Sequence, residues 1–151
     1  VQPARSGALG ALIEREKVTV WNSVPALMRM LVEHSEGRPD SLARSLRLSL
    51  LSGDWIPVGL PGELQAIRPG VSVISLGGAT EASIWSIGYP VRNVDPSWAS
   101  IPYGRPLRNQ TFHVLDEALE PRPVWVPGQL YIGGVGLALG YWRDEEKTRT
   151  A

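Results

Sequence analysis

The 151-residue sequence predicts an α/β fold, with a mostly parallel βαβ layer over residues 1–95, and three observations predict it. Short β-branched or leucine-rich runs alternate with helix-patterned runs as far as Leu76, and turn residues separate them. Beyond Tyr89 the texture changes to short strands punctuated by proline. Alternation of this kind implies parallel strands joined by crossover helices, with ligands gathering at the carboxyl ends of the strands.

Taken in order, Ala8 to Glu16 suits an amphipathic helix and Val18-Thr19-Val20-Trp21 a buried strand. Pro25 opens a second helix to Glu33, with Leu27, Met28, Met30, Leu31 and Val32 crowding one face. Proline is tolerated in that first turn because the N–H it lacks would have no intrahelical partner. Gly37-Arg38-Pro39 is read as the end of this helix. Leu46 to Leu51 is a second strand, Leu60 to Ile67 a short helix, and Val71 to Leu76 a third strand after the turn pair Pro69-Gly70. From Pro90 onward, Pro96, Pro102, Pro106, Pro121, Pro123 and Pro127 bracket strands at Thr111 to Leu115 and Gln129 to Ile132. Residues 96–151 are therefore expected to form a β-rich portion, a small distorted β-barrel or sheet. Both chain ends read as cut, and neither helix nor strand is expected at Arg149-Thr150-Ala151.

Composition excludes several function classes. The 15 Lys and Arg balance 15 Asp and Glu without any basic run, so neither nucleic acid nor an anionic membrane is an expected partner. There is no cysteine, hence no disulfide framework and no thiolate metal site. No apolar run approaches a bilayer-spanning length, and no signal pattern opens the chain, which leaves a soluble, cytoplasmic protein as the expectation. His34 and His113 are isolated and read as surface or core packing, and the six tryptophans lack interleaved basic residues and read as packing or pocket walls.

Three polar clusters remain. Ser75-Leu76-Gly77-Gly78-Ala79-Thr80-Glu81-Ala82-Ser83 ends the third strand. It suits a phosphate loop, where glycines admit an anion to backbone N–H groups, a threonine hydroxyl donates to phosphate and a carboxylate holds Mg²⁺. It also suits a turn leading into a helix capped by Thr80, and spacing alone favours that second reading. Gly133 to Gly140 superficially matches a dinucleotide fingerprint, but Gly140-Tyr141-Trp142 interrupts the helix that fingerprint needs, so a structural turn is favoured. Ser52-Gly53-Asp54-Trp55 either lines a nucleotide crevice beside the Thr80 loop, if their strands are neighbours, or is a turn with Asp54 as a helix cap.

Taken together, Leu76-Gly77-Gly78-Ala79-Thr80-Glu81-Ala82 resembles the Tyr-Gly-Pro-Thr-Glu loop of adenylate-forming enzymes. Ile101-Pro102-Tyr103-Gly104-Arg105-Pro106-Leu107 resembles their Pro-x-Gly-Arg-Pro turn, Val114-Leu115-Asp116 the strand end after it, and Gly128 to Tyr141 their Gly-Glu-Leu-x-Ile-x-Gly…Gly-Tyr motif. With Val18 to Pro25 and Leu50 to Asp54, the resemblance covers nearly the whole chain, and in detail it is to the amino-acid adenylation domains of nonribosomal peptide synthetases. It implies part of the large N-terminal subdomain, without the C-terminal lid. It also implies a two-step ligase that forms an aminoacyl-adenylate from ATP and then loads a carrier-protein phosphopantetheine thiol.

Carried over residue by residue, Thr80 contacts the α-phosphate and Glu81 ligates Mg²⁺. Ser52, Gly53, Asp54, Gly77, Gly78 and Ala79 belong to the nucleotide site, with Gly53, Asp54, Gly77 and Gly78 at adenine. The amino-acid pocket falls on Asn22, Leu50, Ser52, Leu76, Ile84 and Trp85, a set similar to the cysteine-selecting signature of modules paired with heterocyclisation domains. L-cysteine is the substrate this implies, with serine and threonine as its nearest competitors. Gly77 stands where the family has an adenine-stacking Tyr, Ala79 where it has Pro, Asp54 where Glu is common, Gln129 where it has Glu, and Leu139 where Arg is frequent. The family's upstream phosphate loop and amine-binding aspartate, and its downstream ribose-binding aspartate and catalytic lysine, have no counterpart in these residues. The isolated chain is thus expected to be inactive. Another acyl- or aryl-acid ligase and a non-catalytic interaction module are the competing readings.

Overall fold

Pro3–Arg15 forms helix α1, which is closed by Lys17 in the left-handed conformation at φ 50°. The Val18 N–H reaches the Ile13 carbonyl at 3.0 Å and the Lys17 N–H reaches Glu14 at 3.1 Å, the paired bonds of a Schellman stop. Val20–Ser23 (β1), Pro25–Ser35 (α2), Leu48–Leu51 (β2), Leu60–Ile67 (α3) and Ser72–Gly77 (β3) follow. This computed structural model describes residues 3–35, 42 and 44–150, so the expected helix end at Gly37-Arg38-Pro39 lies outside the described residues. Two units emerge, Val1–Leu76 with Tyr89–Gly104 and Gly77–Gly88 with Arg105–Ala151.

In the first unit β1, β2 and β3 are parallel and adjacent in that order, as the βαβ pattern predicts. Asn22 pairs with Leu50, and Leu50 with Ile74. Side chains alternate between faces along a strand, so this register sorts the sheet into two sides. Ser49, Leu51, Val73 and Ser75 are buried on one side. The core includes Leu51, Val73, Ile13 of α1, Met28, Leu31 and Val32 of α2, and Leu60 and Leu64 of α3. Arg29 of α2 also reaches Glu63 of α3 at 3.3 Å, a half-exposed pair of small energetic weight. The segment 89–104 adds Val91 and Ile101 to the same core, Tyr89 packs edge-on to Trp98 with ring centres 6.2 Å apart, and the Ile101 N–H donates to the Ile56 carbonyl at 3.0 Å.

The second unit is built from hairpin pairing. Ile87–Val91 (β4) begins here, where Ile87 and Gly88 pair antiparallel with Pro106 and Arg105 of the two-residue strand β5 (Arg105–Pro106). Neither strand is predicted from the sequence, because Gly88, Pro90 and Pro106 read as breakers. Gln110–Leu115 (β6) and Gln129–Gly134 (β7) pair antiparallel over their full length. Of the two expected forms, barrel or sheet, the sheet is the one present: among the described residues β6 and β7 form a two-stranded sheet, and two strands of six residues cannot close on themselves. The expected irregular chain end is corrected, since Glu145–Thr150 forms a helix, α4. Asp144 caps it through Oδ1, which accepts the Lys147 N–H at 3.0 Å, and the charged residues that read as a solvated tail are its exposed faces. No helix among the described residues is long and apolar enough to cross a membrane.

The two sides of β2 give a direct test. Leu51→Ala, at a wholly buried position, is expected to destabilise by about 2–5 kcal/mol in denaturant unfolding. Leu50→Ala on the half-open side is expected to lower stability by less than half as much, and equal losses would show that the register is wrong.

Candidate functional site

The loop after β3 is fixed by close backbone approach. Gly78 has φ +147°, and a Cβ built on it would lie 2.6 Å from the Ile84 carbonyl oxygen and 2.8 Å from the Ser86 nitrogen. Only glycine lets the two strands of the loop come this near. The Ser86 N–H donates to the Gly77 carbonyl at 2.8 Å, and the Ser86 hydroxyl, itself buried, donates to the Ala82 carbonyl at 2.7 Å. Between these anchors Thr80–Ala82 makes one 3₁₀ turn, with extended Ala79 at its N-cap position, and not the helix capped by Thr80 that spacing favoured. Ser83 and Ile84 both have positive φ, 60° and 66°, and the Trp85 N–H closes on the Ser83 carbonyl at 2.7 Å. A β-branched residue held there is strained by about 1–3 kcal/mol, and such strain clusters at functional sites. Ile84 is also 62% exposed.

Glu81 is held from two directions. Its carbonyl accepts the Ala138 N–H at 2.7 Å, and its Oε1 accepts the Tyr141 hydroxyl at 2.5 Å. The Ser83 hydroxyl donates to the Gly136 carbonyl at 2.7 Å, a third tie to the same glycine run. The Tyr141 bond first, then a backbone hydrogen bond, and also the Lys147 charge hold the Glu81 carboxyl below the usual carboxylate range, against an opposing effect of desolvation. The same bond, with desolvation and the Glu81 charge, raises the Tyr141 hydroxyl above its ordinary value. Thr80 and Glu81 line a cleft of about 670 Å³ with Leu137, Leu139, Tyr141 and Trp142.

In the first unit, four of the residues singled out from the sequence share one side of the sheet. Asn22 and Leu50 are register partners, and Ser52 and Leu76 lie two residues beyond Leu50 and Ile74. This is the less buried side, opposite Leu51 and Val73. The Ser52 N–H continues the β1–β2 ladder to the Ser23 carbonyl at 3.2 Å. Gly53, at φ +84°, turns the chain where a Cβ would come within 3.3 Å of Val24. Asp54 caps no helix: its Oδ1 accepts the Trp55 N–H at 2.7 Å, and α3 begins only at Leu60. β2 and β3 are neighbours, as the crevice reading of Ser52 to Trp55 required.

Ile84, Trp85, Gly77, Gly78, Ala79, Thr80 and Glu81 belong to the second unit, and Asn22, Leu50, Ser52, Gly53, Asp54 and Leu76 to the first. Sequence reasoning missed Tyr141, Ala138 and Ser83. The Gly-Tyr ending of the glycine run was the available signal, yet nothing in the spacing ties position 141 to position 81. Among the described residues no group of three or more His, Cys, Asp or Glu gathers around a metal position.

The chain matches the model of the AMP-binding enzyme family over residues 1–142 and belongs to that family. Its relatives include bacitracin synthase 1 of Bacillus licheniformis, 54% identical over 136 residues, which are 89% of this chain and 2% of that protein. Pyochelin synthetase PchF of Pseudomonas aeruginosa is 50% identical over 137 residues, 91% of this chain and 8% of that one. The crystal structure of the nonribosomal peptide synthetase FmoA3 matches with a TM-score of 0.91 at 45% identity, covering 96% of this chain and 16% of that chain. FmoA3 has further structures bound to AMPPNP and to α-methyl-L-serine-AMP. The chain therefore spans a small part of the length of each of these relatives.

Gly78→Ala is expected to destabilise the loop and raise amide exchange from Ala82 to Ser86, because the methyl meets the Ile84 and Ser86 backbone as well as the buried Ser86 hydroxyl. Glu81 has a lowered pKa, so the Tyr141–Glu81 contribution is present above the ordinary carboxylate value and is lost as pH falls through the lower, folded value. Tyr141→Phe should move the Glu81 carboxyl titration, followed by ¹³C NMR, upward toward the ordinary value.

Proposed function

We propose that this chain supplies part of the nucleotide site and most of the amino-acid pocket of an amino-acid adenylation domain in a nonribosomal peptide synthetase. One observation carries the reading: the register places Asn22, Leu50, Ser52 and Leu76 together on the open side of the parallel sheet, and β3 then runs directly into the Thr80–Glu81 loop. Family membership and identity to synthetases support it. In such a domain the amino-acid carboxylate attacks the α-phosphorus of ATP. A P–O bond to the carboxylate forms, the bond to the bridging oxygen breaks, and pyrophosphate leaves. The phosphopantetheine thiol of a carrier domain then attacks the acyl carbon, and AMP leaves.

The residues of this chain act by placement. The Thr80 hydroxyl donates to an α-phosphate oxygen as charge builds there. Ser52, Gly53 and Asp54, with Gly77, Gly78 and Ala79, shape the nucleotide site with small or backbone groups. Glu81 suits Mg²⁺: a carboxylate offers about four lone-pair positions, Tyr141 takes one, and a cation that keeps most of its waters and shares phosphate oxygens needs only one or two carboxylates. Bound there, Mg²⁺ supplies charge neutralisation at the phosphates.

For the substrate, the residue types of Leu76, Ile84 and Trp85, with an amide at Asn22 and a hydroxyl at Ser52, suit a small side chain that carries a weak polar group, such as the thiol of L-cysteine. A second reading, a serine-like side chain, is favoured by the α-methyl-L-serine-AMP in the FmoA3 structure. A heterocyclisation domain beside the carrier would suit either nucleophilic side chain. The need for ATP and a free carrier thiol places the reaction in the cytoplasm.

ATP–pyrophosphate exchange by the complete domain containing this chain tests the reading, with cysteine, serine, threonine, α-methylserine, small aliphatic acids and aryl acids as substrates. Cysteine should lead, and Trp85→Ala should narrow its lead over serine. Near-isosteres differ by about 1–3 kcal/mol in such pockets, so the lead should be tenfold or more. A lead by serine keeps the family reaction and moves the substrate. A lead by an aryl acid rejects the pocket assignment, and no exchange with any acid favours a non-catalytic module. The 151 residues alone should show no exchange.

A further inference from the structure

Resting on the reading of Glu81 as the magnesium carboxylate, we propose that Tyr141 is the positioning residue that aims it, and that the glycine run ending at Tyr141 is the brace of the Thr80–Glu81 loop.

A single 3₁₀ turn does little to orient its own side chains. Thr80–Ala82 contains one turn bond of its own, from the Ala82 N–H to the Ala79 carbonyl at 2.9 Å, and Glu81 lies exposed. A glutamate there has three free side-chain torsions, and ordering them is entropically unfavourable. The second direction comes from the chain sixty residues on. Ala138 takes the Glu81 carbonyl, Ser83 reaches Gly136, and the Tyr141 hydroxyl takes Oε1 at 2.5 Å. A phenol suits this purpose because it donates to the carboxylate without neutralising it, and leaves lone pairs for a cation.

Tyr141 is itself fixed. Its N–H donates to the Thr148 hydroxyl oxygen at 2.8 Å, that hydroxyl donates to the Asp144 carbonyl at 2.7 Å, and the Lys147 ammonium stands 4.0 Å from the Tyr141 ring centre. Gly140 permits this approach, since a Cβ there would lie 2.6 Å from the Thr148 methyl carbon. The chain of contacts therefore runs from the capped start of α4 through Thr148 and Tyr141 to Glu81. A glycine run that resembles a nucleotide fingerprint acts instead through its backbone, as a mould for a loop.

The test is calorimetry of AMPPNP binding to the complete adenylation domain, with and without Mn²⁺ in place of Mg²⁺, for wild type, Tyr141→Phe, Glu81→Gln and the double variant. Tyr141→Phe should weaken the Mn²⁺-dependent binding about tenfold, the loss of one charge-assisted hydrogen bond, and leave metal-free binding unchanged. In the Glu81→Gln background it should have no further effect. Thr148→Val, which removes the acceptor holding Tyr141, should weaken the same binding, and Thr148→Ser should restore it, so the proposal stays exposed even if one variant folds poorly. Unchanged binding in Tyr141→Phe alongside a clear loss in Glu81→Gln overturns the positioning role alone, as does an equal Tyr141→Phe loss in both backgrounds. Metal dependence untouched by Glu81→Gln overturns the metal reading, and the positioning role with it.

Discussion

Parallel register is the constraint from which the first unit follows. Pairing Asn22 with Leu50 and Leu50 with Ile74 forces the alternate residues Ser49, Leu51, Val73 and Ser75 to the opposite side, where the helices cover them. A slip of one residue would exchange the two sides, burying Asn22 and exposing Leu51. The apolar face of α2 and the wholly buried Leu60 and Leu64 of α3 hold the register, because they find apolar partners on one side only. What is left over, a half-open row of one amide, one hydroxyl and leucines, is a by-product of core formation that recognition can use. On the proposed reading, stability and specificity would share one register without sharing side chains.

The second unit obeys a different rule. Much of its surface, including Val124, Trp125 and Trp142, is exposed, so apolar burial does less to define it than backbone approach does. Its order comes from hydrogen bonds closed at positions where a side chain would not fit: Gly78 under the Ile84 carbonyl, and Gly140 against Thr148. Strain at Ser83 and Ile84 is sustained by the bonds on either side of them, from Ser86 to Gly77 and from Ser83 to Gly136. A loop held in this way presents Thr80 and Glu81 rigidly while leaving them accessible to solvent.

Much of this was legible in the chain itself. Each of α1, β1, α2, β2, α3 and β3 overlaps a run of apolar patterning, and α3 begins and ends where the pattern does; α1, expected from Ala8, starts at Pro3, and β1, expected as a buried strand over Val18 to Trp21, spans Val20–Ser23 with no residue buried. β4 and β5 were not legible, because Gly88, Pro90 and Pro106 argue against strands, while the antiparallel pairing of Ile87 and Gly88 with Pro106 and Arg105 joins residues far apart in sequence. The helix of α4 was hidden for a related reason: its six residues carry no apolar stripe, and its start is set by the Asp144 cap.

The sequence by itself determined the order of strands and helices as far as β3, the place of the Thr80–Glu81 loop after it, and the period-two spacing that puts Leu50 with Ser52 and Ile74 with Leu76. Those properties are local, written in neighbours a few residues apart. Only the tertiary structure decided that Thr80 starts a single 3₁₀ turn, that β6 and β7 pair without closing a barrel, and that Tyr141 holds Glu81. A hydrogen bond spanning sixty residues leaves no mark on spacing or composition, since its two ends meet only after the glycine run and the loop have each taken their shape.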